Sequence, residues 1–120
     1  MIKYEAKITA IGPLVSEFLD HDIMVLFGQS APEELAEFSV VHDGQTLRAP
    51  LAAGDTVCIG EACVQVLAVG DVASDNLANL GHLVLKFNGA SEIEMPGDVC
   101  VEKRTLPLLE VGMAVRVSGD

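Results

Sequence analysis

Three histidines and three cysteines are the candidate nucleophiles of this 120-residue chain. No P-loop, G-x-S-x-G, H-E-x-x-H or zinc-type Cys/His spacing accompanies them. Cys58, Cys63 and Cys100 lie inside apolar runs (Val57-Cys58-Ile59, Cys63-Val64, Val99-Cys100-Val101) with no basic neighbour in sequence to lower a thiol pKa. They read as small core hydrophobes. Their odd number and the absence of an export signal imply reduced, cytosolic thiols. The five-residue offset of Cys58 and Cys63 matches neither a zinc knuckle nor a C-x-x-C redox pair.

His42 has a different setting. It closes an apolar run at Phe38–His42, immediately before Asp43-Gly44, the strongest short hairpin signal in the chain. In a two-residue hairpin with Gln45–Ala49 it would pair with Gln45 and share a face with Phe38, Val40, Leu47 and Ala49. An imidazole there can attack phosphorus and hold it as a phosphoramidate at neutral pH without a metal. An apolar rim would keep water from the N–P bond while leaving the ring open to a docking protein. Position alone favours an ordinary surface histidine beside a turn.

His82 begins the run after Gly81, and alternation groups His82, Val84 and Lys86 against Leu83, Leu85 and Phe87. A second imidazole and a lysine could stabilise charge on a transferring phosphoryl group; position alone favours the other reading, in which His82 caps the carbonyls of the preceding helix. His21, between Asp20 and Asp22, reads as a solvated loop residue. Asp71, Asp75, Glu92 and Glu94 match no cation-binding loop and read as solvated charges. The residues call for no metal and no cofactor.

The elements that must position these groups are short. Gly, Pro and Asp punctuate the chain every 8–12 residues, the rhythm of an all-β sandwich or barrel. Ile2–Ala10 alternates as a half-buried strand. Ile23–Phe27, Thr56–Ile59, Ala62–Val69, His82–Asn88, Val99–Glu102 and Ala114–Ser118 complete the set. Pro13–Leu19 predicts a helical turn. A short helix starts near Ser30, which can cap it, with Pro32 in its first turn. Val72–Leu80 predicts two helical turns closed by Gly81. The expectation is a mainly β protein: a small closed or nearly closed mixed β-barrel with two or three short helices, one domain over residues 1–120.

Composition narrows the function classes. Eighteen acidic against seven basic residues give a formal charge of −11, which argues against nucleic acid and against docking on anionic lipid. A basic protein partner would instead be drawn to this surface. The N-terminal MIKYEAKITAIG has no apolar signal region, and no apolar run approaches the ~20 residues of a membrane span. With no Trp and one Tyr, the chain is poorly equipped to stack on a free sugar ring, which weakens a small-molecule-binding reading.

Several stretches together resemble the glucitol/sorbitol-specific IIA component of the phosphoenolpyruvate-dependent sugar phosphotransferase system. They are Val69-Gly70-Asp71-Val72-Ala73-Ser74-Asp75-Asn76-Leu77, Leu80-Gly81-His82, Leu85-Lys86-Phe87-Asn88-Gly89 and Met95-Pro96-Gly97. Phe27 through Ala31-Pro32 with Leu35 and Glu37, Val41-His42, and the opening strand with Ile11-Gly12 extend the likeness over most of the chain. The resemblance implies a small mixed β-barrel that acts as a cytoplasmic phosphoryl carrier. It implies a phosphoryl group accepted from the histidine-containing phosphocarrier protein HPr and passed to the cysteine of the IIB component, alongside the membrane component IIC, during glucitol uptake. The family's accepting histidine matches His42, and a family histidine also matches His82. Some members carry another histidine two positions after the accepting one; here that position is Gly44, so a role for it does not carry over. The competing reading is a non-catalytic, protein-binding or regulatory β-barrel. The carrier role requires a ring that an incoming protein can reach.

Overall fold

A computed structural model describes residues 1–120. The chain runs β1 (Ile2–Ile11), α1 (Val15–Leu19), β2 (Ile23–Gly28), α2 (Glu33–Ala36), β3 (Ser39–His42), β4 (Thr56–Ile59), β5 (Ala62–Val69), α3 (Ala73–Leu80), β6 (Leu83–Lys86), β7 (Asp98–Val101) and β8 (Ala114–Ser118). The eight strands close into a barrel in the order β1-β3-β2-β6-β7-β5-β4-β8. Closure gives every strand a neighbour on both sides. The barrel is mixed: β2/β3 and β6/β7 are parallel, and the other six neighbours are antiparallel.

Period-two alternation sends one face of each strand inward. Tyr4, Ala6 and Ile8 from β1, Val57 and Ile59 from β4, Val64 and Val66 from β5, and Val115 and Val117 from β8 meet in one continuous core. Tyr4 and Phe87 are its only aromatic members. Lys3 breaks the alternation by being buried, because its ammonium lies 2.9 Å from both Asp55 carboxylate oxygens and donates to the Pro50 carbonyl. A buried charge persists only when it is paired and hydrogen-bonded in this way.

Most predicted elements form where expected. Helix α3 ends at Gly81 in the left-handed conformation (φ +66°), and the Gly81 N–H donates to the Leu77 carbonyl. Helix α2 begins after Pro32 with no side-chain cap, so Ser30 does not cap it.

Two expectations are corrected. The Asp43-Gly44 hairpin does not form, because β3 already has β1 on one edge and β2 on the other. The chain after His42 instead lies along the free part of β1: Asp43 N–H donates to the Lys7 carbonyl, Asp43 Oδ1 accepts from Lys7 N–H at 2.7 Å, and Arg48 N–H donates to the Lys3 carbonyl. It then reaches α3, where Leu51 is buried and its N–H donates to Ser74 Oγ.

Cys58 and Cys63 are not free thiols but a disulfide. They face each other directly across the β4–β5 hairpin, with Cα atoms 4.0 Å apart. A five-residue offset is what a two-residue turn needs to bring two side chains opposite one another. Cys100 is free and buried.

Candidate functional site

His42 is the last residue of β3, paired with Gly28 on β2 and Ile8 on β1. Its ring points into the end of the barrel, and the residue is only 1% exposed. The expected position at a hairpin tip is therefore corrected: with no hairpin, the strand ends under the segment that follows it.

Two backbone groups hold the ring. Nε2 lies 2.7 Å from the Gly81 carbonyl, and Gly44 N–H donates to Nδ1 at 3.0 Å. A carbonyl only accepts and an amide N–H only donates, so the proton sits on Nε2 and Nδ1 keeps its in-plane lone pair. Burial lowers the His42 pKa below the ordinary histidine range, the dominant effect; the Gly81 bond and the Asp43 charge pull it partly back. The ring is thus held neutral, with a defined nucleophilic nitrogen.

This close fit depends on residues without side chains. A Cβ on Gly81 would sit 2.8 Å from the Gly28 backbone and 3.0 Å from His42 Cε1, and one on Gly28 would sit 2.8 Å from the Leu80 carbonyl oxygen. Tyr4 presses edge-on against the imidazole, with ring centroids 5.7 Å apart and planes at 90°. A Cβ at Gly44 would come within van der Waals overlap of the Tyr4 hydroxyl, so this position excludes a side chain unless Tyr4 moves. Tyr4, Gly44 and Gly81 reach the surface together in a depression of about 250 Å³, whose polar wall includes Ser30, Gln45 and Asn79. Gly44 lies between that depression and Nδ1.

His82 is not brought to His42. Its ring lies on the outer side of the sheet, tilted 35° against Phe27 at 4.9 Å, and Nδ1 is 3.2 Å from the Leu26 carbonyl. Its backbone N–H donates to the Asn76 carbonyl of α3. The side chain therefore ties the Gly81 turn to β2. Lys86 is taken by Asp98 at 2.8 Å, which raises the lysine pKa. His21 is exposed between α1 and β2. Sequence reasoning missed Tyr4, read only as a core position of β1, and the glycines that frame the imidazole. The available signal was that the chain's one tyrosine lies on the buried face of a strand, where a phenol oxygen needs a polar outlet.

The fold is thus a closed mixed barrel that holds one neutral, tautomer-locked imidazole beneath a polar depression. The comparisons with known proteins are specific. The family model for the PTS system glucitol/sorbitol-specific IIA component matches residues 3–116. The PTS system glucitol/sorbitol-specific EIIA components of Shigella flexneri and of Escherichia coli (strain K12) are each 38% identical over 98 residues, 82% of this chain and 80% of theirs. The crystal structure of a PTS system IIA component from Enterococcus faecalis V583 superposes with a TM-score of 0.81 at 25% identity, covering 92% of this chain and 96% of that one. This chain belongs to the glucitol/sorbitol-specific IIA family, and as such it is a phosphoryl-carrying, phosphotransferase component of a sugar phosphotransferase system. None of its helices is long and apolar enough to cross a membrane.

Proposed function

We propose that His42 is the residue that carries the phosphoryl group, with phospho-HPr as donor and a IIB cysteine of the glucitol transporter as acceptor. The observation that carries this reading is the locked tautomer: Nε2–H is spent on Gly81, and Nδ1 alone keeps a lone pair. Attack by Nδ1 on the donor's phosphorus forms a new N–P bond. The donor's N–P bond breaks, and its electron pair returns to the donor imidazole. His42 retains its Nε2 proton, so the phosphorylated ring carries positive charge. The Gly81 carbonyl at the C-terminal, negative end of α3 faces that charge. Onward transfer to a thiolate reverses the bond changes and returns the ring to neutrality.

The ring must be uncovered first. The group over Nδ1 is the Gly44 N–H; displacing its segment releases that hydrogen bond and the two that Asp43 makes with Lys7, at about 1 kcal/mol each. That is small beside a chemical barrier, so the buried resting state is compatible with transfer once a partner displaces the Asp43–Gln45 backbone. His82 acts at one remove, by holding the Gly81 turn through the Leu26 carbonyl. The acidic surface suits a basic docking face on the donor, and transfer rates should fall as salt rises. These partners place the protein in the cytoplasm, beside the IIB and IIC components.

Labelling from phosphoenolpyruvate with enzyme I and HPr tests the reading. The wild type takes up acid-labile, base-stable phosphate; His42→Gln takes up none, and His82→Gln is labelled more slowly. Labelling of His42→Gln at the wild-type rate would overturn the assignment. The 1% exposure of His42 favours a second reading, a non-catalytic binding barrel with a structural histidine. That reading requires a wild type that takes up no label and still binds its partners.

A further inference from the structure

The depression above His42 contains no lysine or arginine. Neither His82 nor Lys86 reaches the ring. A phosphoryl group on Nδ1 would bring negative charge into a depression that offers it no cationic side chain. One side chain in the depression both touches the His42 ring and ends in a donor: Tyr4. Its ring is fixed edge-on against the imidazole and is 3% exposed. Its hydroxyl lies against Gly44, the residue whose N–H covers Nδ1. No buried side-chain polar atom lacks a partner in this protein, and the phenol, with no protein hydrogen bond of its own, opens onto the depression.

We propose that Tyr4 is a catalytic residue, whose hydroxyl donates a hydrogen bond to a phosphoryl oxygen as the group arrives on and leaves His42 Nδ1. The inference rests on His42 being the acceptor. As Gly44 withdraws, the phosphoryl group takes the space beside Nδ1 that the hydroxyl already borders. The phenol neither gains nor loses its proton; it supplies a fixed dipole where charge passes, which is the most effective kind of electrostatic catalysis. Burial, with the nearby Asp43 charge, raises the Tyr4 pKa, so the donor form is kept at neutral pH and above. The ring's contact with the imidazole makes the geometry preorganised rather than recruited.

Tyr4→Phe keeps the ring contact and removes only the hydroxyl. We expect transfer from phospho-HPr, followed by rapid quench, to slow at least about tenfold, with unchanged thermal stability and unchanged HPr affinity. A second measurement needs no variant of Tyr4. The chain has one tyrosine, so a fluorotyrosine resonance, with the label incorporated into this chain only, reports Tyr4 alone. That signal should change on phosphorylation of the wild type and stay constant for His42→Gln given the same mixture. A Tyr4→Phe rate within twofold of wild type, or a tyrosine signal indifferent to phosphorylation, overturns the inference and leaves His42 as the carrier. Labelling of His42→Gln is the separate result that would remove the reading beneath it.

Discussion

Gly81→Ala is the substitution whose effect can be worked most directly from the geometry. Gly81 has φ +66°, where an alanine costs roughly 1–2 kcal/mol. Its Cβ would also stand 2.8 Å from both Cα and N of Gly28. These are backbone atoms at the end of β2 and cannot rotate away, so the α3–β6 turn must lift, adding about 1–3 kcal/mol. The total is about 3 kcal/mol. Gly54→Ala is the internal control, since Gly54 has φ +97° and nothing within 4 Å of a Cβ; it carries the backbone term alone. At roughly 4 °C per kcal/mol for a domain of this size, thermal unfolding followed by circular dichroism should show Gly81→Ala melting about 12 °C below wild type, against about 6 °C for Gly54→Ala. Lifting the turn also withdraws the Gly81 carbonyl from His42 Nε2. Phosphate uptake should therefore fall sharply in Gly81→Ala and be untouched in Gly54→Ala. Equal melting temperatures and equal labelling in the two variants would refute the account of how the imidazole is held.

Two further outcomes follow from buried charge. Lys3→Met leaves the Asp55 carboxylate buried opposite a thioether, with the Ala52 N–H its remaining partner; urea unfolding should show a loss of about 3–5 kcal/mol, most of it recovered when Asp55→Leu is added. The lowered His42 pKa has a pH signature. The unfolded chain takes up the His42 proton near pH ~6.5 while the folded protein resists it. Stability from this group is therefore complete above that pH and falls as pH drops towards the folded pKa. Urea midpoints taken from neutral to mildly acidic pH should decline more steeply for wild type than for His42→Gln; parallel curves would contradict a neutral buried ring. The same protonation removes the Nδ1 lone pair, so labelling should fail on the acid side.

Much of the architecture was legible in local pattern. Strands β4, β5 and β8 and helix α3 with its Gly81 cap follow from alternation and punctuation that act within a few residues. His42 stood out only because the family resemblance singled it out. What local pattern could not show was partnership. Asp43-Gly44 looks like a hairpin turn until β1 and β2 occupy both edges of β3. Cys58 and Cys63 look like separate apolar residues until the hairpin register sets them face to face. Tyr4 looks like one more inward residue until the chain after His42 passes beside it.

The amino-acid order by itself determined an acidic, aliphatic, strand-rich chain with a histidine at a strand end, because composition and period-two alternation act through nearest neighbours and solvent. Only the tertiary structure decided that this histidine is buried, which of its nitrogens keeps a lone pair, and that a phenol stands beside it. Those outcomes depend on Tyr4, Gly28 and Gly81, distant in sequence, converging with the neighbouring Gly44 on one ring, and barrel closure is the physical event that brings them together.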